Sequence, residues 1–424
     1  MPRYALPATL LAAAALVLSG CSAAPQEDST PESMTVWIMK GTNPDTQSYY
    51  DRVGAAFEEE TGVPVVFEEV QWADAHDRFV TAIAGGTTPD VAETGTTWTA
   101  EFAASGALAP IDEMVAAAGL EGDLVQGLVD SGTYEGELYG MPWYAGVRAV
   151  LYRADVFDDL GLQEPTTWAE LVDAAEVIAA ERPELIPFPV PGDAEQLVYP
   201  FVWGAGGQVA TQTDGAWVSG LDSEQSQEGI DFLTSLALEH DFSTAGATTW
   251  KETDLLDAFA SGDVAMAIMG SWTPSAILEK NPDLEGKIGA MPIPGRDGGI
   301  APAVLGGSHL SIFDTAQDRD LAFELVRMMT TGDFAAEWVE GTGYFPGEQT
   351  LMESAVASGD PLVTPFAVQM VEGGAALPVT PAFAAVQAKK SVPTMMQSIL
   401  SGKSTVSQAS QAAASEMTEL LNGE

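Results

Sequence analysis

Cysteine, histidine and positive charge are all scarce in this chain. It has one cysteine, Cys21, in 424 residues, so no disulfide can form within it. Its three histidines, His76, His240 and His309, stand far apart, and none has the spacing of a zinc or iron ligand set. No metal and no cofactor are expected. Only 16 basic residues face 62 acidic ones, a formal charge of −46. That imbalance argues against nucleic acid as a partner and against a polybasic grip on anionic lipid. The chain also lacks a Walker loop for nucleotide phosphates and the Gly-x-Ser-x-Gly elbow of serine hydrolases. A glycosidase needs two placed carboxylates, but with 62 acids the presence of a pair decides nothing.

What is there describes a folded, exported chain. Hydrophobic residues make up 46% and charged residues 18%, a core-forming composition. The length exceeds one compact core and suits two lobes. Leu10 to Val17 is an apolar run after Arg3, too short for a confident span but right for the core of a signal peptide. It leads into Leu18-Ser19-Gly20-Cys21, which resembles a bacterial lipobox. The expectation is a signal peptide over 1–21, lipidation of Cys21, and a flexible polar tether over 22–33. The mature chain would then sit on the outer face of the cell membrane without crossing it.

From Met34 the pattern reads β-α-β-α-β. Strands are expected at 34–39, 63–70 and from Val91, and helices at 47–60 and 73–84, so the sheet should be parallel with helices on its faces. Ligands of such sheets sit beyond the carboxyl ends of the strands, which points to the loops at 40–43, 71–72 and 94–98. Farther on, Thr167 and Glu170 form the pattern of a capping box. A strand-like segment is expected at 186–190 and a helix at 193–205. Further helices are expected at 224–240, 254–260, 319–330, 333–340 and across 383–421, and strands at 264–269 and 288–293.

The most informative stretch is 134–153. Glu135-Gly136 marks a tight hairpin. Pro142-Trp143-Tyr144-Ala145-Gly146 then joins it to an alternating strand over 147–152, an arrangement suited to carrying an extended chain between lobes. Gly146 is expected to give the backbone freedom and Trp143 and Tyr144 to supply flat apolar faces. The sequence Glu-Leu-Tyr-Gly-Met-Pro-Trp-Tyr at 137–144, followed by Leu-Tyr-Arg-Ala-Asp-Val-Phe at 151–157, resembles the first hinge of the sugar-binding proteins of ABC importers. The same family is matched by Phe-Glu-Glu-Glu-Thr-Gly-Val at 57–63, Gly-Gly-Thr-Thr-Pro-Asp-Val at 85–91, Pro-Thr-Thr-Trp at 165–168, Phe-Ala-Ser-Gly-Asp-Val-Ala-Met at 259–266, Gly-Gly-Ser at 306–308 and Gly-Tyr-Phe-Pro at 343–346. Each piece is weak alone, but their order over the whole chain is specific.

The resemblance implies a two-lobed α/β fold of the maltose-binding type with three interlobe crossings. One lobe would comprise 34–143 plus 307–344, the other 144–306 plus 345–424. It implies a monomeric, non-enzymatic receptor that takes an oligosaccharide and delivers it to permease subunits served by a separate ATPase. The other classes left open are a secreted carbohydrate-active enzyme and a receptor of the same fold for a peptide or polyamine. Sugars present apolar C–H faces and polar rims, so a site should mix aromatic rings with planar polar groups. The family pattern places Trp98, Tyr144, Trp272 and Tyr344 near the sugar, with Arg148, Ser308 and His309 as polar contacts. Trp203 lies near the end of a second-lobe helix, and Thr42 and Gln71 are rim positions. Trp37 and Trp168 read as core or capping residues. The 143–148 segment departs from the maltose type, which carries an acidic residue near 146–147; chito-oligosaccharides, trehalose and β-linked plant glycans stay open.

Overall fold

A computed structural model describes residues 31–40, 46–357 and 359–423; Cys21, Thr42 and most of the expected tether lie outside them. The first five elements are β1 (Met34–Lys40), α1 (Gln47–Thr61), β2 (Val65–Gln71), α2 (Trp72–Gly85) and β3 (Val91–Gly95). α1 forms because Tyr49, Tyr50, Val53 and Phe57 fall on one buried face, the 3.6-residue spacing of an amphipathic helix. It stops at Gly62, which takes φ 76° and returns its N–H to the Glu58 carbonyl, a left-handed cap that glycine adopts without strain.

β1 pairs in parallel with β2 and with β3. Two later segments join antiparallel, Gly306–Ile312 against β3 and Met141–Gly146 against Gly306–Ile312, and the short strand Phe345–Pro346 closes the edge. The result is one six-stranded sheet. Alternate residues of β1 feed opposite faces: Met34, Val36 and Ile38 join one apolar cluster, Trp37 and Met39 another, as the two-residue period of a strand requires.

A second sheet has Arg148–Arg153 at its centre, antiparallel to both Met266–Gly270 and Ile288–Met291. It carries its own core, drawn from Val150 and Leu151, the helices at Trp168–Glu181 and Glu224–Leu238, and the C-terminal helices Ser391–Leu400 and Val406–Leu421. Two sheets with separate cores make two lobes, joined where Gly146 of one sheet runs through buried Val147 into Arg148 of the other. Strand directions set where the crossings lie. The ladder order puts the end of Met141–Gly146 and the starts of Gly306–Ile312 and Phe345–Pro346 at the rim formed by the carboxyl ends of β1–β3.

The hairpin at Glu135-Gly136 is present, with φ 51° and 90°. Three local expectations are corrected. Thr167 Oγ1 accepts the Glu170 N–H, but the Glu170 carboxylate reaches past the cap to the Thr166 N–H and hydroxyl, both 2.8 Å, so the box is not reciprocal. The segment 186–190 is held by a bridge from Ile186 to Val264, not as a strand; Pro187, Pro189 and Pro191 withhold the donors a ladder needs. The helix expected over 193–205 is a single turn at Glu195–Leu197 and a short helix at Tyr199–Gly204.

Candidate functional site

The three crossings bring a continuous ladder of rings together. Trp338 stacks on Trp143 at 4.4 Å, Trp143 tilts against Tyr144 at 5.0 Å, Tyr144 stacks on Tyr344 at 3.9 Å, and Tyr344 stacks on Trp272 at 5.0 Å. The Arg148 guanidinium lies 5.1 Å over the Trp272 ring, within cation–π range. The ladder runs from the first core into the second sheet: Trp272 follows the strand Met266–Gly270 of the second sheet yet packs with the first core.

Two glycines make room for Trp272. A Cβ on Gly146 would meet the ring at 2.7 Å, and one on Gly270 would overlap it. The expectation for Gly146 is thereby corrected, because its value here is close approach; its φ is not in the left-handed region. Trp143, expected to offer a flat face, is 1% exposed inside the first core, and Tyr144 at 2%, Tyr344 at 5% and Trp272 at 7% are covered by one another.

Beyond Arg148 the ladder opens onto a polar face of the second lobe that sequence reasoning missed. Arg148 makes a forked pair with Glu252, Nε to Oε2 at 3.1 Å and Nη2 to Oε1 at 2.8 Å, the bidentate geometry of strong Arg–carboxylate recognition. Glu195 sits near this pair, accepts the Gln387 side-chain N–H at 2.7 Å, and has its carboxyl raised by burial and then by Glu252. Asp193 takes Lys390 at 3.1 Å. Four stretches supply these groups, at 148, 193–195, 252 and 387–390, and they meet through side-chain bonds between positions far apart in the chain. No local motif therefore announces them.

Several buried polar atoms here lack a partner among the described residues: Trp272 Nε1, Ser271 Oγ, Gln387 Oε1, and Gln196 Oε1 and Tyr199 Oη beside Glu195. Buried polar atoms are normally bonded; these five have donor or acceptor capacity that no described residue meets.

The remaining sequence candidates fall in three groups. Trp98 stands at the rim after β3, tilted on Trp72 at 5.4 Å and edge-on to His76; Gln71 is exposed on the same rim, paired in register with Lys40. Trp203 packs on Tyr199 at 5.7 Å, half-buried at the edge of the second core. Ser308 and His309 are corrected to interior residues. Ser308 is 1% exposed and donates to Glu93 Oε1 at 2.7 Å. His309 is 0% exposed; its Nε2–H donates to the Leu128 carbonyl at 2.9 Å, and its Nδ1 pairs with the Thr99 hydroxyl at 2.8 Å. Burial holds its pKa down at about 4, so the ring is neutral. Gly132 and Gly140 pack directly on it, and no path to a ligand is left.

The chain matches the model of the bacterial extracellular solute-binding proteins over residues 40–333. It is 26% identical to the diacetylchitobiose-binding protein DasA of Streptomyces coelicolor over 384 residues, covering 90% of this chain and 88% of that one. An ABC transporter solute-binding protein of Thermotoga lettingae, solved with α-D-tagatose, superposes with a TM-score of 0.83 at 28% identity over 92% of this chain and all of that one. The GacH receptor of Streptomyces glaucescens shares the fold at a TM-score of 0.80 and 24% identity, over 92% of this chain and 98% of that one. With this match over residues 40–333 and two sheets joined by a backbone that crosses between them, the chain belongs to the bacterial extracellular solute-binding protein family.

Proposed function

We propose that this protein captures an oligosaccharide between its lobes and delivers it to the permease of an ABC importer, without chemical turnover. The observation that carries this reading is the ring ladder ending in Trp272 and Arg148 beside the polar face of Glu252, Glu195 and Gln387. Rings receive the C–H faces of a sugar, and bidentate or unpartnered polar groups receive its hydroxyls. The curated relative named for diacetylchitobiose supports a carbohydrate ligand, as does a more distant maltotriose-binding protein of Pyrococcus abyssi, 25% identical over 76% of this chain and 68% of its own length.

Trp272 is 7% exposed in this structure, packed against Tyr344 and under the Arg148 guanidinium. Separation of the lobes, with the sheet that holds Met141–Gly146, Gly306–Ile312 and Phe345–Pro346 moving against the sheet centred on Arg148–Arg153, exposes a ring face, and a sugar that touches both lobes draws them shut. In this reading Trp98 and Gln71 belong to the first-lobe side of that opening, and Trp203 to the second. The test is a thermal-shift panel of di- and oligosaccharides, since a ligand of the native state raises its melting point. Trp272→Ala is expected to weaken the best ligand at least tenfold, about 1.4 kcal/mol, and, because the ring is buried in the first core, to lower the melting point of the free protein as well. Turnover of any glycan, or unchanged affinity in Trp272→Ala, refutes the reading.

The leader and Cys21 support a lipid-anchored protein on the outer face of the membrane; among the described residues no helix is long and apolar enough to cross one. Cys21→Ser is expected to release the protein into the medium. Retention with the membrane fraction would remove the anchor.

A further inference from the structure

We propose that Glu93 is a positioning residue for the capture site: its buried carboxylate holds the Tyr144 hydroxyl, thereby fixing the ring ladder that reaches Trp272, and a proton taken up there loosens that hold. The inference rests on the reading of the ladder as a sugar site.

Glu93 is 0% exposed in the middle of the first-lobe sheet. Its carboxylate collects three donors from three other strands: the Met39 N–H of β1 at 2.8 Å, the Ser308 hydroxyl at 2.7 Å and the Tyr144 hydroxyl. A single side chain thus ties β1, β3 and two strands that cross between the lobes. Tyr144 is the link outward, because the ring whose hydroxyl Glu93 holds is stacked at 3.9 Å on Tyr344, and Tyr344 on Trp272.

Among the described residues no cation pairs with this carboxylate. The other titratable group acting with it is Tyr50 on α1, also a phenol. Lys40 on β1 is taken by Glu69, Arg52 on α1 by Glu337, Arg78 on α2 by Glu68, and His309 turns to Thr99 and Leu128. A buried carboxylate held only by neutral donors protonates more readily than a solvated one, and burial raises Glu93 to about 7.

The proton has a place to go. Once Glu93 carries it, the acid must donate, and Tyr144 Oη can accept it while turning its own O–H to Ser308 Oγ, 3.0 Å away. Tyr144 then loses a charge-assisted bond, which is about twice as strong as a neutral one. The ladder is held less firmly, and ligand affinity falls.

Sugar affinity should therefore be higher above neutrality than below it. By linkage, binding lowers the Glu93 pKa and releases protons near pH 7. Diacetylchitobiose and maltotriose are the probes, titrated calorimetrically from about pH 5.5 to 8.5, with intrinsic tryptophan fluorescence of the free protein read in parallel. Wild type should bind about tenfold more tightly at the alkaline end, the effect of a one-unit pKa difference between free and bound states. At pH 7, buffers of different ionisation enthalpy should reveal the released proton. Glu93→Gln should bind with the low-pH affinity throughout and lose the fluorescence transition. If that variant does not fold, Ser308→Ala, which removes one donor to the carboxylate, should move both midpoints upward in pH.

A wild-type profile flat in affinity overturns the proposal, as does a profile unchanged in Glu93→Gln or, should that variant not fold, in Ser308→Ala. If neither sugar binds at any pH, yet the fluorescence titrates in wild type and not in Glu93→Gln, the capture reading fails for these sugars and the hold of Glu93 on the ladder stands.

Discussion

Glu93 and His309 are two buried ionisable side chains of one lobe whose pH effects on stability oppose each other. The folded chain keeps the Glu93 proton up to about pH 7 while the unfolded chain loses it near 4.5. This contribution is therefore complete below 4.5 and disappears as pH rises to 7. His309 works in reverse. The unfolded chain takes up its proton below 6.5 but the folded chain only near 4, so stability is lost as pH falls through that window. Each contribution amounts to about 3 kcal/mol, and the two cancel across much of their shared range. Comparing Glu93→Gln with wild type isolates one of them. The variant's stability relative to wild type, from urea unfolding, is expected to rise by about 3 kcal/mol between pH 4.5 and 7. A difference independent of pH would show that Glu93 is not the group.

Helix ends and crossings can be ranked in the same physical terms. Of the glycines at the three crossings, Gly343 ends the helix Gly332–Thr342 at φ 76°, and a Cβ there would meet the Ser271 carbonyl at 2.7 Å. Gly306 has no left-handed φ, and nothing lies nearer than the Gly146 carbonyl at 3.9 Å. Gly343→Ala should therefore cost about 1–3 kcal/mol, from an unfavourable backbone region and a clash, while Gly306→Ala should be close to neutral. Equal costs in urea unfolding would contradict that ranking. The last helix, Val406–Leu421, carries a complete capping box: the Gln408 N–H reaches Thr405 Oγ1 at 3.3 Å, and the Thr405 N–H reaches Gln408 Oε1 at 3.2 Å. Thr405→Ala should lower stability by about 1 kcal/mol. At Thr167 the carboxylate has already gone to Thr166, so two sequences with the same signature end in different bonds.

For the whole molecule, the proposed closure is a movement of two packed lobes about three strands of backbone. Small-angle scattering should show a smaller radius of gyration when a binding glycan is added, and Trp272→Ala should need more of that glycan to reach it. No change with a ligand that binds measurably would mean that capture does not move the lobes.

Much of this protein follows from the order of its residues alone. Local periodicity and caps placed β1 to β3, the Arg319–Thr330 helix and the Glu135-Gly136 turn, because spacing along the chain decides which side chains share a face. The crossing at Gly146 was legible too, since a proline, two aromatics and a glycine interrupt an alternating pattern there. The same reading could not tell a ring facing a cleft from a ring covered by its neighbours, nor place Ser308 and His309 inside a lobe. Glu93 looked like one acid among many, and Glu195, Glu252 and Gln387 belong to segments far apart in sequence. Burial and partnership depend on which distant segments the folded chain brings within a few ångströms, and that is settled by packing across the sheets.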